Sequence, residues 1–204
     1  MTDEIEVMFL RHGRSRADDE GVHEGRYDSP LTEVGRSQAE KRGQDFLARG
    51  FGYRLIIASP LQRAQETAQI IAKYLNATVE TDPDWAEMNN GLLAGLSFKE
   101  AATRFPRPVF RNPYEPFGET GESEWDLFER AARAVRKIVN RGPGQYLVVS
   151  HGRILTTALR TIFGIVPMGN DLGVAFRFGD LGYIRLTYAP KEHWWILEEF
   201  QASV

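Results

Sequence analysis

Two apolar runs in this chain end the same way. Val7-Met8-Phe9-Leu10 gives way at once to Arg11-His12-Gly13, and Tyr146-Leu147-Val148-Val149 to Ser150-His151-Gly152. Short runs without polar alternation suit strands covered on both faces, the kind that parallel α/β sheets require. Ligands of such sheets bind in the crevice beyond the carboxyl ends of the strands, so Arg11, His12 and His151 would be carried there together. Either His-Gly pair alone also fits an ordinary strand exit with solvated charges. Their repetition predicts a site with two facing imidazoles.

The rest of the chain alternates between helix and strand signals. Arg14 to Pro30 reads as a polar loop. A helix is expected over Thr32–Arg49, with Thr32 as its cap and Gly50 as its stop. Leu55–Ala58 reads as a short buried strand. Ser59-Pro60-Leu61-Gln62 reads as the start of the next helix, with Ser59 capping and Pro60 in the first turn. Ala64, Ala68, Ile71, Ala72 and Leu75 then recur at helical spacing. Thr78–Thr81 is a further strand candidate, Ser97–Arg104 a short helix, and Ser123 the cap of a long helix reaching about Arg141. A helix follows His151 through Phe163, and Leu172–Phe200 alternates as two or three strands. Such an order predicts one α/β domain spanning residues 1–204, a three-layer α/β/α sandwich with a mostly parallel central sheet and helices on both faces. Phe105–Gly121 interleaves four prolines with four aromatics, which makes the 97–122 region a candidate lid-like insertion.

Composition narrows the class of function. The chain has 204 residues, 42% hydrophobic and 26% charged, enough for a sizeable core. It has no cysteine, which excludes disulfides and thiolate metal sites. Its net charge is −3 and it has no long basic run, which argues against nucleic acid as a partner. The acidic start MTDEIEV and the lack of a long apolar run argue against a signal peptide or membrane span, so a cytoplasmic protein is expected. The sequence leaves the oligomeric state open, a homodimer included.

Arg63 falls in the first turn of its helix, where the macrodipole disfavours a cation by about 0.3–1 kcal/mol. It is there either as a solvated side chain or to bind an anion beside exposed backbone N–H groups. Arg11 and Arg63 would present two forks suited to phosphate oxygens. His12 could attack phosphorus as a neutral imidazole, with Glu87 as general acid toward the leaving oxygen and His151 stabilising the transferring group. The scheme uses no metal and no cofactor, and the histidines lack the close spacing of zinc ligands.

Leu10-Arg11-His12-Gly13 resembles the signature of the histidine phosphatase superfamily, the phosphoglycerate mutase-like family. Asp28–Gly35, Ser59–Ala64 with Thr67, Glu87 with Gly91 and Gly95, Gly121-Glu122-Ser123 and Ser150-His151-Gly152 are similar to further family segments in family order. The resemblance implies a phosphohistidine on His12, a phosphate pocket of Arg11, His12, Arg63 and His151, and proton donation by Glu87. The chain departs from the family pattern in having Arg14 directly after the signature glycine and Asp18 where many members have asparagine. An aspartate there would repel phosphate unless it points away or pairs with Arg14 or Arg16, so Asp18 is left out of the site. Arg14, Arg16 and Arg26 are candidates for reading a second anionic group or are solvated. The compact chain and its Leu92–Leu96 loop look like the phosphatase branch, so the expected activity is metal-independent hydrolysis of a small phosphorylated metabolite. The alternatives are a cofactor-dependent phosphoglycerate mutase and a catalytically weak protein that binds phosphorylated ligands.

Overall fold

The computed structural model describes residues 3–203. Its strands are β1 (Ile5–Arg11), β2 (Leu55–Ala58), β3 (Thr78–Thr81), β4 (Gly144–Ser150), β5 (Tyr183–Ala189) and β6 (Trp194–Gln201). The helices are α1 (Arg16–Glu20), α2 (Glu33–Ala48), α3 (Gln62–Leu75), α4 (Phe98–Arg104), α5 (Glu124–Val139) and α6 (Gly152–Ile162). The strands form one sheet in the order β3-β2-β4-β1-β5-β6. The first four run parallel, and β5 and β6 complete the sheet antiparallel.

This order follows from the handedness of crossovers. The chain moves from β1 past the later position of β4 to β2 and β3, with α2 and α3 as the connections. It then reverses through α5 to insert β4 beside β1. Right-handed crossovers in opposite directions put their helices on opposite faces. Phe46 of α2 and Ala64, Ala68 and Ile71 of α3 accordingly pack on Met8, Leu10, Ile56, Leu147 and Val149. Leu127, Ala131, Ala134 and Ile138 of α5, with Ile154, Leu155 and Ala158 of α6, cover Val7, Phe9, Ile57 and Val148 on the other face. Alternate residues of β1 and β4 therefore serve two cores, which explains why Val7–Leu10 and Tyr146–Val149 are apolar at successive positions. The expected three layers are present.

Local signals hold at three helix starts. Thr32 accepts from Gly35 N, and Ser97 and Ser123 each close a capping box with Glu100 and Asp126. Two expectations need correction. The segment after Gly13 is not all loop: Ser15 caps α1, with Asp18 as its reciprocal partner. And α3 begins at Gln62 behind Leu61, without a side-chain cap, so Ser59 is not the helix cap. At the carboxyl end, two strands form between 183 and 201.

The 97–122 region contains α4 and then an aperiodic stretch. Its tip, Val109 and Phe110, is exposed. Tyr114 stacks on Trp125, with ring centres 5.6 Å apart and planes 3° from parallel. Arg111 exchanges hydrogen bonds with Asn170, which ties the stretch to the turn after α6. Among the described residues, no helix is long and apolar enough to cross a membrane.

Candidate active site

The sheet register brings the two histidines together. β1 and β4 are parallel neighbours with Arg11 opposite Ser150, so the next residues, His12 and His151, leave the sheet side by side. Their ring centres are 4.9 Å apart. The order in which strands are added to the sheet reverses between β1 and β4, which places both histidines at the switch point where open α/β sheets bind ligands. The backbone leaving β1 is held by two glycines: a Cβ on Gly13 would lie 2.7 Å from Gly35 O, and one on Gly35 would lie 2.1 Å from Arg14 O. Side chains at either position would push the start of α2 away from the loop that carries His12.

His12 is buried, and its Nδ1 donates to Gly13 O at 2.7 Å. The carbonyl can only accept, so the proton of the neutral ring sits on Nδ1 and Nε2 is left unprotonated, with its lone pair as an acceptor. Arg63 Nε donates to that nitrogen at 3.2 Å. Burial first, then the Arg63 and Arg11 charges, hold His12 well below the ordinary imidazole value, against the Gly13 hydrogen bond. The ring is a neutral base aimed into the site.

Arg63 is completely buried. Its Nη1 and Nη2 donate to Tyr27 O at 3.1 Å and Gly25 O at 3.0 Å, leaving Nε to face His12. Its place in the first turn of α3, unfavourable for a cation in isolation, is thus offset by contacts from a distant loop. Thr67, one turn on, accepts from Gly13 N at 3.2 Å and donates to Arg63 O at 2.7 Å, tying α3 to the β1 exit. Arg11 is held by Asp180 at 3.2 Å, by Phe178 O at 3.3 Å and by Asp18 at 3.8 Å.

His151 is also buried, with Nε2 2.7 Å from Ser59 Oγ. Its Nδ1 is buried without a hydrogen-bond partner among the described residues. Burial and then the Arg63 charge hold His151 well below the ordinary value. A buried ring nitrogen without a partner, beside the unprotonated nitrogen of a second imidazole, is a place suited to a polar ligand group.

Glu87 joins the same region. Its carboxylate accepts from Met88 N at 2.7 Å and from Arg153 N and Ile154 N, both at 3.1 Å, at the start of α6. Glu87, Glu24, Met88, Leu93, Phe117 and Arg153 line a cavity of 310 Å³. The guanidinium groups of Arg111 and Arg153 lie 4.0 and 5.3 Å from the ring centre of Phe117. A larger hollow, 510 Å³, opens beside Glu4, Glu6 and Gly144 at the starts of β1 and β4, remote from both histidines.

All five sequence candidates, Arg11, His12, Arg63, Glu87 and His151, therefore lie around the carboxyl end of the sheet. Arg14 and Arg16 do not join them: Arg14 pairs with Asp19 and Arg16 with Glu20 on the surface. Asp18 points its carboxylate at Ser15 N, 2.8 Å away, and its second oxygen toward Arg11, not toward Arg14 or Arg16. Arg26 has charges of both signs around it, Arg130 against Glu122 and Glu87.

Three contributors escaped the sequence reading. Ser59 holds His151. Glu24 lies 3.8 Å from His12 Nε2. Arg130 donates to Asp84 O at 2.8 Å and Ala86 O at 2.7 Å and pairs with both oxygens of Glu122, which fixes the loop carrying Glu87. Only Ser59 had a local signal, and that signal pointed to another use.

Comparison with known proteins adds relatives to this geometry. The uncharacterized phosphatase PhoE of Bacillus subtilis is 30% identical over 162 residues, 79% of each chain. A probable phosphoglycerate mutase, GpmB of Cronobacter sakazakii, is 34% identical over 167 residues, 79% of this chain and 76% of that one. Among solved structures, YhfR of Bacillus stearothermophilus superposes with a TM-score of 0.78 at 26% identity, covering 89% of this chain and 90% of that one. The fold is shared with a mycobacterial glucosyl-3-phosphoglycerate phosphatase in complex with VO3, at a TM-score of 0.81 and 24% identity over 97% and 99% of the two chains. The family model for the histidine phosphatase superfamily, branch 1, matches residues 7–198, both histidines included. The chain belongs to the histidine phosphatase superfamily.

Proposed function

We infer that this protein is a phosphomonoester hydrolase working through a phosphohistidine on His12. The observation that carries the reading is the unprotonated Nε2 of His12, 3.2 Å from Arg63 Nε, on a ring 4.9 Å centre to centre from that of His151, whose Nδ1 has no partner among the described residues. A phosphoryl group set on that spot would accept from Arg63 and Arg11 and from His151 Nδ1–H, once Ser59 Oγ–H donates to Nε2 and leaves the ring proton on Nδ1.

The reaction has two steps. His12 Nε2 bonds to phosphorus as the ester P–O bond breaks, and the leaving oxygen takes a proton from Glu87 on the cavity wall. Water then attacks the phosphohistidine, Glu87 takes back a proton, and the P–N bond breaks to release phosphate and restore His12. The donors of the phosphate pocket are already oriented by Tyr27, Gly25, Asp180 and Ser59, so little reorganisation accompanies the charge that builds on the phosphoryl oxygens.

Similarity to a probable phosphoglycerate mutase supports a second outcome of the same intermediate, return of the phosphoryl group to another hydroxyl of the substrate. Both outcomes are tested together. Purified protein is expected to hydrolyse p-nitrophenyl phosphate in the presence of EDTA and to form an acid-labile phosphoenzyme. His12→Ala should lose both, and activity surviving that change would move the nucleophile elsewhere. Conversion of 3-phosphoglycerate into 2-phosphoglycerate faster than its hydrolysis would assign the mutase outcome instead.

A further inference from the structure

One carboxyl at the nucleophile has no part in the reaction just described. Glu24 lies on the loop between α1 and α2, with Oε1 3.4 Å from Arg63 Nε and Oε2 3.8 Å from His12 Nε2. Ser15 Oγ donates to Oε1. The side chain is 17% exposed, and two of its three partners, Arg63 and His12, are groups that the phosphoryl transfer needs. A phosphorus bonded to His12 Nε2 carries its oxygens into van der Waals contact with Oε2. Once phosphorus occupies His12 Nε2, the ionised carboxylate and a phosphate dianion compete for the same Arg63 Nε–H and repel each other.

The surroundings of Glu24 are mixed. Arg63 from α3 and Arg11 from β1 favour its ionised form, as does the hydroxyl of Ser15. Asp18 from α1 opposes them, and burial opposes them more strongly still, so the carboxyl is pushed above its ordinary value. His12, itself held neutral, faces it from the end of β1, and Glu87 and Arg153 share its cavity.

We propose that Glu24 is a phosphate-contacting residue that must carry a proton while the phosphoryl group is bound, so that substrate and product phosphate each bind together with one proton at this carboxyl. In its neutral form the O–H donates to a phosphoryl oxygen, and Arg63 Nε is released to do the same. In its ionised form Glu24 occupies the guanidinium and competes with the anion. The assignment rests on the phosphohistidine reading of the site and adds to it a discrimination: the pocket prefers a phosphoryl group that arrives with a proton.

The probe is sulfate, which stays a dianion across the working range and so contributes no titration of its own. Wild-type affinity should fall as pH rises, approaching about tenfold per pH unit once Glu24 is ionised. Glu24→Gln keeps the shape and a hydrogen-bond donor without the charge. The two proteins should bind sulfate alike at about pH 4.5, and the variant should bind about tenfold tighter or more at about pH 8. Calorimetry in two buffers of different ionisation enthalpy should count a proton taken up by the wild type at about pH 7.5, and roughly one fewer in the variant. Parallel binding curves, weaker binding by the variant at about pH 8, or no proton uptake by the wild type overturn the assignment. Failure of the phosphohistidine reading would appear separately, as turnover and phosphoenzyme surviving His12→Ala.

Discussion

Replacing Ser59 by alanine tests whether the orientation of His151 is set by a single hydroxyl. Ser59 Oγ is 2.7 Å from His151 Nε2, and both residues are fully buried. The substitution deletes one oxygen and leaves a buried ring nitrogen with neither protein partner nor room for bulk water. An unsatisfied buried polar group costs about 1–3 kcal/mol. For a chain of this length each kcal/mol moves the melting temperature by about 2–4 °C, so differential scanning calorimetry should show a drop of roughly 2–12 °C. The kinetic effect has a different origin. Without Oγ–H to occupy Nε2, the ring proton can sit on either nitrogen, and in the wrong tautomer Nδ1 turns a lone pair toward the phosphoryl oxygens. A hydrogen bond to a charged group contributes about 1.5–3 kcal/mol, so kcat/KM should fall by about ten- to hundredfold. Activity within twofold of wild type, with an unchanged melting temperature, would refute the claim that Ser59 sets the tautomer.

Two further outcomes follow from the same geometry. Glu87→Gln should depress hydrolysis of an alkyl phosphate far more than that of p-nitrophenyl phosphate, whose leaving group departs without a proton; equal losses on the two substrates would remove Glu87 from proton transfer. The depressed imidazoles also give stability a pH dependence of definite sign. Below about pH 6.5 the unfolded chain protonates its histidines while folded His12 and His151 stay neutral, so stability should rise with pH up to that point by about 1.4 kcal/mol per pH unit for each ring. Glu24, raised on folding, works in the opposite direction above its unfolded value of about 4.5, so the His12→Ala variant is the informative comparison. Its melting temperature should lose one ring's share of the slope between about pH 5.5 and 6.5, and an unchanged slope would show that His12 titrates as in the unfolded chain.

Much of the architecture was legible because burial on both sheet faces writes itself into sequence. β1 and β4 are apolar at successive positions, and α3 and α5 carry their inward residues at helical spacing. The caps at Thr32 and Ser123 are local hydrogen bonds, so local patterns find them. α1 was obscured by its own charges. The Ser15-x-x-Asp18 box is present, but five residues with four charges and a following glycine read as loop. Ser59 shows a different limit. Its Ser-Pro-Leu-Gln context has the form of a helix start, yet its hydroxyl serves a ring 92 positions away. Arg130 has no local mark at all, since one arginine on a charged helix looks like any other until the loop from Asp84 to Glu87 is folded against it. Arg14 and Arg16 are the converse case, suggestive beside the signature glycine but neutralised by Asp19 and Glu20 within their own turn.

The pocket also has to remain folded when no anion fills it, and the way it does so constrains which residue can stand at position 63. Two guanidinium groups and two imidazoles converge without an external counter-charge. Arg11 is held by Asp180 and Asp18, and both imidazoles are kept neutral by burial and by those same arginines. Arg63 is treated differently: its Nη atoms are spent on the carbonyls of Gly25 and Tyr27, and its Nε is divided between His12 and Glu24. The planar fork makes this division possible, because its donors diverge in fixed directions and can satisfy the loop and the site together. A lysine offers one compact charge and cannot span both. Arg63 is thus a structural tie for the loop carrying Glu24 as well as the proposed ligand for the phosphoryl group. Any movement of that loop would move the guanidinium and the carboxyl as a pair, so the group that attracts the anion and the group that regulates its entry are mechanically joined.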